Sequence, residues 1–205
     1  MTELLIARHG NTFTSEQTPL RIGRRSDTPL VSKGQQQAQA LGRYLKQQPI
    51  PLAAVYSSNL SRTYDTAMIA LQAANINLPI TQMDQFDEID YGVDEAKTEA
   101  QVSARLGEAA LAAWDKEAIV PPGWLIDPEQ IIQSWHVFAQ MIHEKYEGKT
   151  VLVVTSNGIA RFAPHITGNF DSFKQKHSIK LTTGALASFI KTDDRWQINY
   201  WNLKP

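Results

Sequence analysis

The chain has 205 residues, 42% of them hydrophobic, with 20 Lys and Arg against 21 Asp and Glu for a formal net charge of -1. That is length for one well-buried domain, or one carrying a large insertion, but hardly for two. The balanced charge excludes the overall basic field of a non-specific nucleic-acid binder, and the lack of cysteine excludes a disulfide framework, a thiol nucleophile or a cysteine metal site.

Short apolar runs of strand length occur at residues 4–7, 53–56, 151–155, 185–190 and 197–201. Helical spacing occurs between them, at 35–47, 62–73, roughly 95–116 and 129–146. Ser32 is an expected N-cap of the first helix, and Gln35 to Gln37 fit a solvated face. Asp127-Pro128-Glu129 starts the last of these helices: Asp caps, Pro fits the first turn, and Glu favours the positive end of the dipole. Ile131, Trp135, Phe138 and Ile142 then share an inward face. The alternation predicts an α/β fold, a three-layer α/β/α sandwich on a mainly parallel sheet. Residues 84–123, ending in Pro121-Pro122-Gly123, read as a helical cap inserted into a single domain spanning 1–205.

No run approaches the roughly 20 apolar residues needed to cross a bilayer. Residues 1–7 lack the basic flank of a secretory signal, so a soluble, cytoplasmic protein is expected. Charge is segregated along the chain. Arg8, Arg21, Arg24 and Arg25 face only Glu16 in their block, whereas residues 84–99 hold seven acids against Lys97. The basic block follows a strand end, where open α/β sheets bind ligands, and so suggests an anionic small-molecule substrate.

The first strand runs into Arg8-His9-Gly10, which sets an imidazole beside a guanidinium with Gly permitting a sharp turn. The second runs into Ser57-Ser58-Asn59-Leu60-Ser61-Arg62, placing another Arg in the first turn of a helix. Two guanidinium forks and a helix start suit a dianionic phosphoryl group. Glu88, in an acidic and aromatic stretch, is then a candidate proton donor to a leaving alkoxide.

These residues resemble the histidine phosphatase superfamily, also called phosphoglycerate mutase-like. The resemblance is carried by Arg8-His9-Gly10-Asn11-Thr12, Gly23 to Leu30 with Gly34 and Gln37-Ala38, Ser57 to Arg62 with Thr66-Ala67, and Glu88-Ile89-Asp90-Tyr91-Gly92. It implies His9 as the nucleophile that accepts the phosphoryl group, Arg8 and Arg62 as holders of its oxygens, and Glu88 as acid and then base. It implies a metal-independent phosphoric monoester hydrolase with no cofactor, acting on a small phosphorylated substrate; oligomeric state stays open. Ser15 falls where relatives often place a polar phosphate contact.

The sequence departs from the family pattern at one position. Where relatives carry a second histidine followed by glycine, this chain reads Thr155-Ser156-Asn157-Gly158. Ser156 can still donate one hydrogen bond to a phosphoryl oxygen, and Asn157 and the Gly158 amide are expected to help, but serine supplies no positive charge. Slow turnover is therefore expected. Two alternatives stay open beside hydrolysis: a phosphoglycerate-type mutase, disfavoured because family mutases generally have longer chains, and a weakly active or non-catalytic phospholigand-binding protein. A serine hydrolase using Ser156 fits poorly, since Val154 stands where a nucleophile elbow needs glycine. Arg21, Arg24 and Arg25 face either substrate or solvent. Trp124 is a candidate substrate contact, Trp114 and Trp135 read as core, and His136, His143, His165 and His177 show no metal-binding pattern.

Overall fold

The computed structural model describes residues 1–48, 51–192 and 195–205. Its six strands are β1 Thr2–Arg8, β2 Leu52–Ser57, β3 Ile80–Gln82, β4 Thr150–Thr155, β5 Leu186–Thr192 and β6 Arg195–Leu203, in the order β3-β2-β4-β1-β5-β6. The helices are α1 Ser32–Lys46, α2 Ser61–Ala74, α3 Glu99–Leu106, α4 Glu108–Glu117, α5 Pro128–Lys145, α6 Asn157–Ala160 and α7 Phe170–Lys176. β3, β2, β4 and β1 are parallel, and β5 and β6 extend the sheet antiparallel.

β1 and β4 read as nearly unbroken apolar runs because both faces of the sheet are covered. Leu4, Ile6, Val151 and Val153 enter one core, which α5 closes with Trp135, Phe138, Ala139 and Ile142. Leu5, Ala7, Leu152 and Val154 enter the other, closed by Leu41 and Leu45 of α1 and Ala67 and Ala70 of α2. Gly42 lets α1 ride close on α2, since a Cβ there would strike the Ala70 carbonyl oxygen. The result is the expected three-layer α/β sandwich with a mainly parallel sheet. No helix among the described residues is long and apolar enough to cross a membrane.

Asp127 caps α5 as its chemistry suggests, accepting from the Gln130 amide with Pro128 in the first turn. Other local expectations need correction. α1 begins at Ser32 itself, after Val31 and without a side-chain cap. Gln35 and Gln36 are exposed, but Gln37 turns inward, accepting from the Asn11 amide and donating to the Thr183 carbonyl. The single helix expected over 95–116 is broken into α3 and α4 at Gly107, whose φ of 79° no helix accommodates. Thr98 and Gln101 start α3 with a reciprocal capping box. β3, α6 and α7 are short elements that periodicity did not mark.

Candidate active site

The carboxyl ends of β1, β2 and β4 open into a cavity of about 700 Å³ lined by Arg8, His9, Arg62, Glu88, Asn157 and Arg161, among others. β1 delivers the first two directly. The His9 amide continues the pairing of β1 with β4 by donating to the Thr155 carbonyl, and the His9 carbonyl accepts from Gly184. Next to it, Gly10 lies so close to Gly34 that a Cβ would collide with the Gly34 backbone. The Gly10 amide donates to Thr66 Oγ1, and that hydroxyl donates to the Arg62 carbonyl. One side chain of α2 thus fixes the spacing between the two motifs.

His9 is 6% exposed, and its Nδ1 lies 2.8 Å from the Gly10 carbonyl oxygen. A carbonyl only accepts, so Nδ1 carries the proton and the lone pair resides on Nε2. Burial, reinforced by the Arg62 and Arg8 guanidiniums, holds the imidazole well below the usual histidine range, so the ring is neutral near pH 7.

Arg62 is 1% exposed and is gripped from the 23–27 loop: Nη1 donates to the Ser26 carbonyl at 2.8 Å and Nη2 to the Gly23 carbonyl at 3.1 Å. Asp27 accepts from the Ser61 amide and hydroxyl, tying that loop to the start of α2, and stands 3.9 Å from Arg62. Arg8 donates through Nη1 to the Leu181 carbonyl, while its buried Nε has no partner. Burial lowers the pKa of both arginines, but from so high a starting value that both stay charged.

Glu88 is 5% exposed and is carried over the end of β4 by a hydrogen bond from Thr155 Oγ1 to the Phe86 carbonyl. Its carboxyl accepts from the Ile89 and Gly158 amides. A Cβ at Gly158 would overlap a Glu88 oxygen, so glycine there is a condition of the carboxyl's position. Burial pushes its pKa up against those two amides and the arginines.

The structure brings Arg8, His9, Arg62, Glu88 and Asn157 to one cavity, with Ser15 on its exposed rim. Asn157 Oδ1 accepts from the Leu181 amide. Ser156 is fully buried between β4 and α6, its hydroxyl has no hydrogen-bond partner, and it is not among the residues lining the cavity. The Gly158 amide, expected to face a ligand, is taken by Glu88.

The two charged blocks largely answer each other. Arg21 pairs with Glu99, Arg24 with Asp87 and Arg25 with Asp90. Of the three arginines only Arg21 lines the cavity, held over the Tyr91 and Trp124 rings. Trp124 itself does not line it: its indole donates to Asp94 and packs edge-on against Tyr91 and Trp114. The two tryptophans therefore exchange expected places, because Trp114 does reach the cavity. Arg161, buried in the same wall, is a lining residue that sequence reasoning missed. Its signal was a cation five residues after Ser156, on the stretch that leaves β4. Among the described residues no group of three or more histidine or acidic side chains is placed to hold a metal ion.

The sequence profile of the histidine phosphatase superfamily (branch 1) matches residues 4–204. The chain belongs to the histidine phosphatase superfamily. It is 29% identical over 156 residues to 2,3-bisphosphoglycerate-dependent phosphoglycerate mutase 2 of Gloeobacter violaceus, a match covering 75% of this chain and 69% of that one. It is 34% identical over 154 residues to a bifunctional protein of Mycobacterium tuberculosis, covering 75% and 41%. Phosphoglycerate mutase 1 of Saccharomyces cerevisiae is 32% identical over 60% of this chain and 49% of its own. The chain thus spans about half or less of the latter two relatives. Among solved structures, the mycobacterial glucosyl-3-phosphoglycerate phosphatase superposes with TM-score 0.80 at 20% identity over 99% of both chains. The alpha-ribazole phosphatase of Shigella flexneri gives 0.74 at 21% identity over 98% of this chain and 96% of its own. At those identities the likeness is one of fold. The curated relatives named are thus two mutases and a bifunctional protein, and the two phosphatases are likenesses of fold.

Proposed function

We propose that this superfamily member is a phosphomonoesterase working through a phosphohistidine on His9. The observation that carries the reading is the state of that ring: neutral, with Nδ1 committed to the Gly10 carbonyl and Nε2 left as the nucleophile, in a cavity shared with Arg8, Arg62 and Glu88.

In the first step the Nε2 lone pair attacks phosphorus and the phosphorus–oxygen ester bond breaks. The departing alkoxide takes its proton from Glu88, whose pKa is raised by burial. Arg8 and Arg62 stabilise the equatorial oxygens, and the unpartnered Arg8 Nε is a donor ready for one of them. In the second step the Glu88 carboxylate takes a proton from water, the oxygen attacks phosphorus, and the phosphorus–nitrogen bond breaks to release phosphate and restore neutral His9. Residues 84–123, which bring Glu88, Tyr91 and Trp114, act in this reading as the cap over the leaving group.

Ser156 stands where the family pattern has an imidazole, but its buried hydroxyl does not line the cavity, so that donor is missing here. Losing one preorganised donor typically costs about a hundredfold to a thousandfold in rate, so turnover is slow. The mutase reading draws on the curated relatives; it shares the first step and differs in returning the phosphoryl group to a substrate hydroxyl. A serine-nucleophile reading lacks a base, since Ser156 Oγ has no hydrogen-bond partner.

The test is a panel of phosphomonoesters assayed for inorganic phosphate and for isomerised ester, with His9→Ala in parallel and fluorophosphonate labelling beside it. Phosphate release lost in His9→Ala, without labelling of Ser156, supports hydrolysis. Isomerised ester in place of phosphate supports the mutase, and labelled Ser156 with His9→Ala still active overturns the proposal.

A further inference from the structure

The cavity contains a buried cation that the hydrolytic steps do not employ. Arg161 follows α6, is 1% exposed and lines the cavity. Its guanidinium carbon sits 3.8 Å from the centre of a Trp114 ring, Nη1 donates to the Trp114 carbonyl at 2.7 Å, and Nε reaches the Asn157 carbonyl at 3.5 Å. The nearest carboxylate among the described residues is Asp115, half-exposed and 3.9 Å from Nη2, beyond hydrogen-bond reach.

A guanidinium enclosed this way, against neutral carbonyls and one solvated carboxylate, is costly unless an anion joins it. Its burial lowers its pKa to about 10, and it remains a full cation at neutral pH. Arg8 and Arg62 are likewise held by carbonyl oxygens, and Glu88 is the carboxyl buried beside them. A phosphoryl dianion answers Arg8 and Arg62, the two cations whose fields act most strongly on His9. Arg161 is held on the wall built with Trp114 and Asp115, within the field of Glu88 and Arg8, and is not among the cations that act on His9.

We infer that Arg161 is the docking point for a second anionic group, a carboxylate or a second phosphate, on the alcohol part of the substrate. The preferred substrates are then phosphomonoesters of acidic alcohols, and Trp114 supplies the flat surface that holds the guanidinium in place. This inference rests on the hydrolytic reading above. Its rival is that Arg161 acts on the transferred phosphoryl group itself, replacing the charge that Ser156 lacks.

Isosteric ester pairs separate the two roles: 4-carboxyphenyl against 4-carbamoylphenyl phosphate, their 3-substituted counterparts, and hydroquinone bisphosphate against 4-hydroxyphenyl phosphate. The expected result is a kcat/KM preference for the acidic member of about tenfold to a hundredfold, the range for a hydrogen bond to a charged group. The carboxylate and bisphosphate pairs tell which anion is favoured. Arg161→Gln loses most of that ratio, chiefly through KM, and Arg161→Lys keeps part of it. Asp115→Asn, at an exposed position that leaves folding intact, removes a competing carboxylate and raises the preference by about twofold to fivefold.

No preference in the wild type overturns the inference, as does a preference indifferent to both Arg161 and Asp115. An equal loss of kcat on both members of each pair assigns Arg161 to the phosphoryl group and overturns it too. Calorimetric binding of the same esters to the His9→Ala protein keeps this separate from the hydrolytic reading. An Arg161-dependent affinity difference without any turnover in the wild type sinks the hydrolase and spares the anion site.

Discussion

The floor of the cavity and the wall opposite it are made differently. On the floor, Arg8 and His9 leave a strand buried on both faces and Arg62 opens a fourteen-residue helix, so each is aimed by regular backbone. The wall over 84–124 is built from 3-10 turns, two short helices and a ring cluster of Tyr91, Trp114 and Trp124, pinned by the Asp94–Arg105 pair and the Trp124–Asp94 bond. Under the proposed reaction, chemistry that needs fixed geometry rests on the sheet, whereas contacts to the variable part of a substrate sit on segments that can change without disturbing it.

The sharpest division between the two regions comes from His9→Ala, which lowers phosphomonoester turnover by on the order of 10⁴-fold to 10⁶-fold, as expected for a nucleophile, while circular dichroism stays native. Glu88→Gln follows, with a loss of about 10²-fold to 10⁴-fold on alkyl phosphates and a smaller one on p-nitrophenyl phosphate, whose leaving group needs little protonation. An equal loss on both esters would remove Glu88 from the acid role.

The pH profile sharpens the same point. The proposed reaction requires neutral His9 and protonated Glu88, so kcat/KM is expected to fall on the acid side at a pH below the usual histidine value of 6.5 and on the alkaline side above the usual carboxylate range. Glu88→Gln abolishes the alkaline limb. Stability carries the other sign of the His9 shift: below about pH 6.5 the unfolded chain binds a proton that the native ring refuses. Acid unfolding is therefore milder in His9→Gln, read as urea midpoints at pH 5 and 7.

Smaller effects are expected on the wall. Trp124→Phe removes the bond to Asp94 and costs about 1–2 kcal/mol in urea denaturation, with turnover of p-nitrophenyl phosphate nearly unchanged. A collapse of kcat there would mean that the wall also sets the chemical geometry. Smallest of all, Ser156→Ala relieves a buried hydroxyl without a partner, raising stability by up to about 1 kcal/mol, with turnover unchanged because that hydroxyl does not line the cavity.

The same division governs what was readable from the chain. β1, β2 and β4 are apolar runs ending in Arg8-His9-Gly10, Ser57-Ser58 and Thr155-Ser156, and the adjacency of strand end and polar motif made the floor visible. On the wall the periodicity over 95–116 was real, but one glycine at positive φ divided it. Three-residue β3 and seven-residue α7 offer too little repeat to register. Trp114 reaches the cavity while Trp124 packs behind it against Trp114 and Tyr91, and Arg161 is buried by contacts with Trp114, 47 residues away. Such placements are decided by tertiary packing.

The proposed reaction turns on a covalent bond between His9 Nε2 and phosphorus. Acid-free rapid quenching of the wild-type protein with a turned-over phosphomonoester, followed by mass spectrometry of the peptides, tests it directly. The expected result is an acid-labile, base-stable phosphoryl group on His9, formed and lost at rates that accommodate kcat. Turnover with His9 unmodified at every time point, or with phosphate on another side chain, contradicts it.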